Sequence, residues 1–326
     1  VSDSRRHCQS HSSLRIPVAT GRSFKKILKI SREAASDCPQ PLPKPAWLKV
    51  RASVAGGAED PIRDILSSYS LSTVCREASC PNRAECFSHG TAAFLILGEL
   101  CTRRCAFCDL AHGTPKPPAA DEPHRVAQAV KALKLRYVVI TSPDRDDLKD
   151  GGAGHFAAVI SQLRKNVEGI EVEILVPDFK KKEDVALRIL SEMPPDVFNH
   201  NIETVPRLYR VARPGASYEG SLALLKAFAE QNPHIPTKSG LMLGLGETDE
   251  EIMEVLRDLR LHKVDRVTIG QYLAPSKAHL PVRRYVSPQN FDLWRQRALE
   301  MGFKTAHAGV FVRSSYHASD DSLKAQ

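Results

Sequence analysis

Six of the eight cysteines in this 326-residue chain fall between Cys75 and Cys108, and none follows in the remaining 218 residues. Cysteines that staple a small secreted fold are spread along the chain; six packed together in a long one point to metal in a reducing compartment. They form two sets of three. Cys101, Cys105 and Cys108 have C-x3-C-x2-C spacing. Three thiolates in one tight loop fall short of the four ligands of a structural zinc site, whereas a four-iron cluster has four corners to fill. Three filled corners leave one iron open to bind and activate a ligand. The spacing also departs from the C-x2-C-x2-C run of electron-transfer ferredoxins. Upstream, Cys75, Cys80 and Cys86 have C-x4-C-x5-C spacing, again three thiolates in one segment. A second cluster is the economical reading, and a zinc site completed by His89 is its rival.

Such loops need a frame. From Phe94 onward, short β-rich runs alternate with longer amphipathic stretches. The pattern predicts strands at Phe94–Leu97, Tyr137–Thr141, Val172–Val176, Asp196–Asn199, Ser239–Leu243 and Arg266–Gly270. It predicts helices at Pro123–Leu135, Gly154–Asn166, Lys182–Ser191, Tyr218–Gln231, Asp249–His262 and Ser287–Met301, with Thr248 and Glu251 as a capping box. Six βα units imply a parallel sheet covered by helices, too few for a closed eight-unit barrel. A partial barrel and an open doubly wound sheet both fit. Cys101 follows the first strand closely, so its loop sits at the carboxyl end, where βα folds carry chemistry. Polar residues near other strand ends are candidate pocket walls: Thr141, Ser142 and Asp144, Glu173, Asn199 and Asn201, Lys238, Gln271 and Tyr272. Each could equally be a loop hydrogen-bonder or cap. Phe107 packs beside the cluster site or in the core, and His200 is a pocket residue or a satisfied polar group. Asp144, Asp146 and Asp147, interleaved with Arg145 and Lys149, read as a charged loop rather than a cation site. Neither Gly151–Gly154 nor Gly244–Gly246 fits the dinucleotide pattern.

The net charge of +8 is unevenly spread: residues 1–51 hold 11 basic and 3 acidic residues, and the remainder holds 35 of each. A nucleic-acid face would show in the folded body, and this body is neutral. No apolar run is long enough to span a bilayer. Residues 1–44 read as a basic, disordered leader with the composition of a transit peptide, ending in a proline-rich linker.

C-x3-C-x2-C with an aromatic before the last cysteine resembles the signature of the radical S-adenosylmethionine (SAM) superfamily. The pairing of both triplets resembles the lipoyl synthase family more closely. Further matching blocks are YVVITSPDRDD at 137–147, DGGA at 150–153, LVPDF at 175–179, PPDVFNHNIE at 194–203, IPTKSGLMLGLGE at 235–247, GQYLAPS at 270–276 and VRSSYHA at 312–318. The resemblance covers roughly residues 45–318. It implies an α/β fold, a partial (β/α)6 TIM-like barrel of the radical SAM type with N- and C-terminal extensions. The expected boundaries are an extension at 45–92 carrying Cys75, Cys80 and Cys86, a barrel at 93–280, and a C-terminal helix with the RSSY segment at 281–326.

The resemblance also implies two [4Fe-4S] clusters and SAM. Cys101, Cys105 and Cys108 would hold the SAM-binding cluster. Cys75, Cys80, Cys86 and Ser315, the second serine of RSSY, would hold an auxiliary one. Phe107, Thr141, Ser142, Asp144, Glu173, Asn199, Lys238 and Gln271 would be the SAM or pocket contacts, and Arg313 would pair with a carboxylate or act near the serine-ligated cluster. The implied reaction inserts two sulfur atoms, taken from the auxiliary cluster, at C6 and C8 of an octanoyl chain on a lysine of a lipoyl carrier domain. The implied partners are octanoylated lipoyl domains of 2-oxoacid dehydrogenase complexes or the glycine cleavage carrier protein. An electron donor such as flavodoxin or ferredoxin and an iron–sulfur carrier for cluster repair would join them, with no nucleic acid and no membrane. CTRRC, as in bacterial forms, implies a cytoplasmic protein, with an organelle the alternative if the leader is a transit peptide.

Overall fold

A computed structural model describes residues 42–48, 61–73, 77, 82, 93–316 and 318–321. Cys75, Cys80, Cys86 and His89 lie outside the described residues, as does most of the leader. Among the described residues, eight strands form one sheet in chain order. They are β1 (Ser72–Thr73), β2 (Ala93–Leu95), β3 (Tyr137–Thr141), β4 (Glu171–Leu175), β5 (Val197–Asn199), β6 (Thr237–Leu243), β7 (Arg266–Gln271) and β8 (Thr305–Gly309). β1 pairs antiparallel with β2, and every later pairing is parallel. A doubly wound sheet reverses its strand order at a switch point. Among the described residues this order never reverses, and β1 and β8 are not paired with each other, which makes the sheet a partial barrel. The six expected parallel strands are present. β1 and β8 are additional, one at each edge.

The helices between strands are α2 (Glu122–Ala132), α3 (Ala153–Asn166), α4 (Glu183–Glu192), the short α5 (Tyr209–Ala212), α6 (Tyr218–Gln231), α7 (Asp249–Leu261) and α8 (Pro288–Glu300), with α1 (Pro61–Ser68) before the sheet. The capping box is formed: Thr248 Oγ1 accepts from the Glu251 amide and the Glu251 carboxylate from the Thr248 amide. Ser217 and Ser287 cap α6 and α8 through the hydroxyl alone, accepting from the Gly220 and Asn290 amides. α3 is launched by Gly151 and Gly152, both at positive φ, with the Asp150 carboxylate accepting from the Gly152 and Gly154 amides.

Successive strand residues face opposite sides of a sheet. Val138, Ile140, Val172, Ile174, Phe198, Leu241, Val267 and Ile269 belong to the main core with Phe156, Ile160, Leu225, Phe228 and Val255 of the covering helices. Phe198 and Phe228 stack at 3.9 Å between ring centres. The alternate positions, among them Tyr137, Glu173, Asn199 and Lys238, turn to the concave side. That face mixes buried charged and polar side chains with a small apolar cluster of Ala93, Tyr137 and Val139, and the chemistry-bearing loops close its carboxyl end. Among the described residues, no helix is long and apolar enough to cross a membrane.

Candidate functional site

The cysteine loop begins at Leu97, just past the end of β2, and folds back on itself. The Cys101 amide donates to the Ala111 carbonyl at 2.8 Å and the Gly113 amide to the Cys101 carbonyl at 3.0 Å. A turn from Cys105 to Cys108 is closed by a 3.1 Å backbone bond. Neighbouring loops hold the tip: the Ala106 amide donates to the Ala212 carbonyl, the Leu280 amide to the Ala106 carbonyl, and His279 Nε2 lies 3.2 Å from the Cys108 carbonyl. The inner wall is fixed through Thr102, whose amide and hydroxyl both donate to the Asp144 carbonyl.

All three cysteines line one cavity of about 190 Å³ at the carboxyl ends of β2 to β5. Leu95, Phe107, Leu110, Leu175 and Val176 form its apolar wall; Thr141, Ser142, Asp144, Asn201, Glu203, Arg103 and Arg213 form the polar one. Backbone amides already point at sulfur, from Arg103 to Cys101 Sγ and from Leu110 to Cys108 Sγ, each at 3.4 Å. Thiolates hold an iron–sulfur cluster, and hydrogen bonds to sulfur help set its reduction potential. Burial, and then the charge of Asp144, push the Cys101 and Cys105 thiols up to about 12. Taking up metal therefore means displacing their protons. Among the described residues, no three His, Cys, Asp or Glu side chains are arranged to grip a single metal ion. Three soft donors around one cavity fit a cluster that takes one thiolate at each of three corners.

Two buried arginines dominate the electrostatics. Arg103, between the first two cysteines, places Nε and Nη2 each 2.7 Å from the Asp146 carboxylate. Its Nη1 lies 2.6 Å from Asp178 and 3.6 Å from Asp144. Arg213 donates to the Asn201 carbonyl at 2.9 Å and lies over the Tyr209 ring. Burial lifts the Glu203 carboxyl above its ordinary range, against the pull of Arg213, and Asn201 Nδ2 donates to it at 3.1 Å. His200 borders the cavity but is fully engaged between the Val176 carbonyl and the Ser221 hydroxyl. Burial, then Arg213, lowers its pKa to about 4, so it is neutral.

Of the residues the sequence singles out, Phe107, Thr141, Ser142, Asp144 and Asn201 border the cavity with the three cysteines. Glu173, Asn199 and Lys238 are brought together elsewhere, inside the barrel. Lys238 Nζ lies 3.1 Å and 3.2 Å from the two Glu173 oxygens, which also accept from Asn199 and Tyr137. Gln271 holds a neighbouring segment, donating to the Leu243, Tyr272 and Arg284 carbonyls and accepting from the Val286 amide. Tyr272 donates to the Leu280 carbonyl. Arg103, Glu203 and Arg213 were not singled out from the sequence, although Arg103 sits inside the cysteine motif.

The C-terminal segment enters the barrel mouth over two glycines. A Cβ on Gly270 would lie 2.1 Å from the Val312 carbonyl oxygen, and one on Gly240 would lie 2.9 Å from Ser314 Oγ. The Ser314 hydroxyl donates to Asn201 Oδ1 at 2.8 Å, and Ser315 beside it is half-buried. Asn82, which in sequence stands between Cys80 and Cys86, donates from Nδ2 to the Phe311 carbonyl.

Residues 95–259 match the Radical SAM superfamily. The chain is 61% identical to the lipoyl synthase of Shewanella loihica over 277 residues, covering 85% of this chain and 86% of that one. It is 58% identical to the lipoyl synthase of Shewanella sp. strain MR-7 over 304 residues, covering 93% and 91%. Among solved structures it resembles methylornithine synthase, with a TM-score of 0.50 and 15% identity over 82% of this chain and 89% of that one. It also resembles the [FeFe]-hydrogenase maturase of Carboxydothermus hydrogenoformans, with a TM-score of 0.50 and 12% identity over 75% and 60%. At such low identity these two likenesses bear on the fold alone. The family match and the near full-length relatives agree: the chain belongs to the lipoyl synthase family of the radical SAM superfamily.

Proposed function

We propose that this protein inserts two sulfur atoms, at C6 and C8, into an octanoyl chain carried on a lysine of a lipoyl carrier domain, drawing the sulfur from an auxiliary [4Fe-4S] cluster. The observation that carries this reading is the convergence of Cys101, Cys105 and Cys108 on one cavity, in a chain 61% identical to a lipoyl synthase over 85% of its length. When bound at that cavity, a four-iron cluster and SAM supply a radical able to take hydrogen from an unactivated carbon.

In this reading Cys101, Cys105 and Cys108 hold the SAM-binding cluster. Arg213 offers the carboxylate of SAM a counter-charge, and Glu203 and Asn201 receive its ammonium and hydroxyl donors. Phe107, Leu95, Leu175 and Val176 exclude water, which strengthens each of these contacts. Thr141, Ser142 and Asp144 complete the polar wall. Glu173, Asn199, Lys238 and Gln271 support the barrel beneath and beside it. Cys75, Cys80, Cys86 and Ser315 hold the auxiliary cluster. Two contacts favour that grouping. Asn82, within the upstream cysteine set, is bonded to Phe311, and the Ser314 hydroxyl is committed to Asn201, which leaves Ser315 for the role.

The substrates are lipoyl-domain proteins, of 2-oxoacid dehydrogenase complexes or the glycine cleavage system. A flavodoxin or ferredoxin supplies electrons, an iron–sulfur carrier rebuilds the auxiliary cluster, and the cytoplasm is the setting. Iron and acid-labile sulfide on anaerobically reconstituted protein test the two-cluster core of this reading. Changing Cys75, Cys80 and Cys86 together to Ala should lower about eight irons per chain to about four. About four irons in both forms would leave a radical SAM enzyme with no sulfur source.

A further inference from the structure

The cysteine loop has a clasp at its base. Leu97, just past the end of β2, is buried and has φ of +65°, in the left-handed region that L side chains rarely adopt. Such a conformation persists only where the surroundings over-determine it. Here they do. The Leu97 amide donates to Glu122 Oε2 at 2.8 Å, an oxygen that also faces His155 Nε2 at 2.7 Å. The Leu97 carbonyl accepts from Arg145 Nη1 at 2.8 Å. Gly152 makes room for the Leu97 side chain, since a Cβ there would lie 2.5 Å from Leu97 Cδ1.

Arg145 does more than hold one carbonyl. It is 1% exposed, and its Nη2 also donates to the Lys116 carbonyl at 3.0 Å. Leu97 precedes the cysteine loop and Lys116 follows it, so one guanidinium ties the loop's two ends together. Asp147 aims it, accepting from Nε at 2.9 Å and from Nη2 at 2.8 Å. A planar guanidinium can serve several acceptors in fixed directions, which an ammonium on a flexible stem cannot.

We infer that Arg145 is a positioning residue for the cluster: it clasps the base of the loop so that Cys101, Cys105 and Cys108 are presented at one fixed spacing. This rests on the reading of those three residues as cluster ligands. The test separates the two claims, because it starts with protein carrying no iron.

Hydrogen exchange across residues 98–116 is measured on cluster-free wild type and on Arg145→Lys. Chelator-driven iron loss and the electron paramagnetic resonance spectrum of the reduced, SAM-bound cluster are then followed on reconstituted protein. In the variant, loop amides should exchange about tenfold faster or more, the factor that one lost charge-assisted hydrogen bond implies, while amides of β4 to β7 stay unchanged. Iron should leave faster, and the spectrum should broaden. Unchanged loop exchange would overturn the clasp. Faster exchange with unchanged iron loss and spectrum would overturn its role in presenting the cluster. If Arg145→Lys does not fold, Asp147→Asn keeps the guanidinium but loses its aim. It should shift the same readouts in the same direction by less, and no shift would overturn the proposal. If no form binds iron, exchange still decides the clasp and the ligand reading fails alone.

Discussion

Protein with Cys101, Cys105 and Cys108 all changed to Ala should keep its fold and lose turnover to background, a fall of at least about a millionfold. The fold should survive because the loop is held by other groups. Backbone bonds at Cys101, Ala106 and Cys108, the Thr102 hydroxyl, the Arg103 clamp and the Arg145 clasp all remain. The activity should vanish because nothing else described at the cavity can replace the thiolates. Asp144, Glu203 and Asn201 are hard oxygen donors, poorly suited to an iron–sulfur cluster. The measurement is anaerobic turnover of an octanoylated carrier domain, with circular dichroism for the fold. Residual activity within about a hundredfold of wild type would place the chemistry elsewhere, since a residue that acts only as an acid or base contributes about that much or more.

Arg103→Met should be the most damaging single change to stability, costing about 3–5 kcal/mol, the range for removing one partner of a buried charge cluster. Asp178 and Asp144 would be left with no counter-charge from the loop. Burial alone would lift the Asp178 carboxyl, but the hydrogen bond and charge of Arg103 win and hold it below the ordinary range. A carboxylate depressed in the folded state contributes stability above its unfolded value, and that contribution is lost as pH falls through the folded one. The gap between wild type and variant should therefore be widest near neutrality and narrow below about pH 4. Asp144 runs the other way, because burial lifts it above the ordinary range despite Arg103. At neutral pH it is a cost that Arg103 offsets. Thermal unfolding of iron-free protein at about pH 7 and about pH 3 reads both effects, with an expected midpoint drop on the order of 10 °C at pH 7. A variant matching wild type at pH 7 would mean the clamp adds nothing to stability.

Legibility in the sequence followed from how strongly each feature marks its own stretch of chain. β3 is a continuous run, YVVIT, buried throughout as an interior parallel strand must be, and its expected limits match. β8 reads TAHAG, small and largely half-buried at a sheet edge, and gives no apolar run to detect. β1 has two residues and owes its pairing to β2 alone. Periodicity left open whether the sheet was wound once or twice, because strand order is a long-range property. The cysteines were legible because three thiols at short spacing have few other uses. Arg103, Arg213 and Glu203 were not, since a buried charge and a surface charge look alike in one sequence. Glu173, Asn199 and Lys238 are polar residues near strand ends that turn toward one another inside the barrel, a pairing that only the registers of β4, β5 and β6 disclose.

If the protein is its own sulfur source, as proposed above, isotope transfer will show it. Protein reconstituted with heavy-isotope sulfide is desalted and given SAM, reductant and an octanoylated carrier domain for a single turnover. Mass spectrometry of the carrier should show two added sulfur atoms, both heavy. A carrier that gains no sulfur, or gains only light sulfur, would mean that the inserted atoms come from elsewhere.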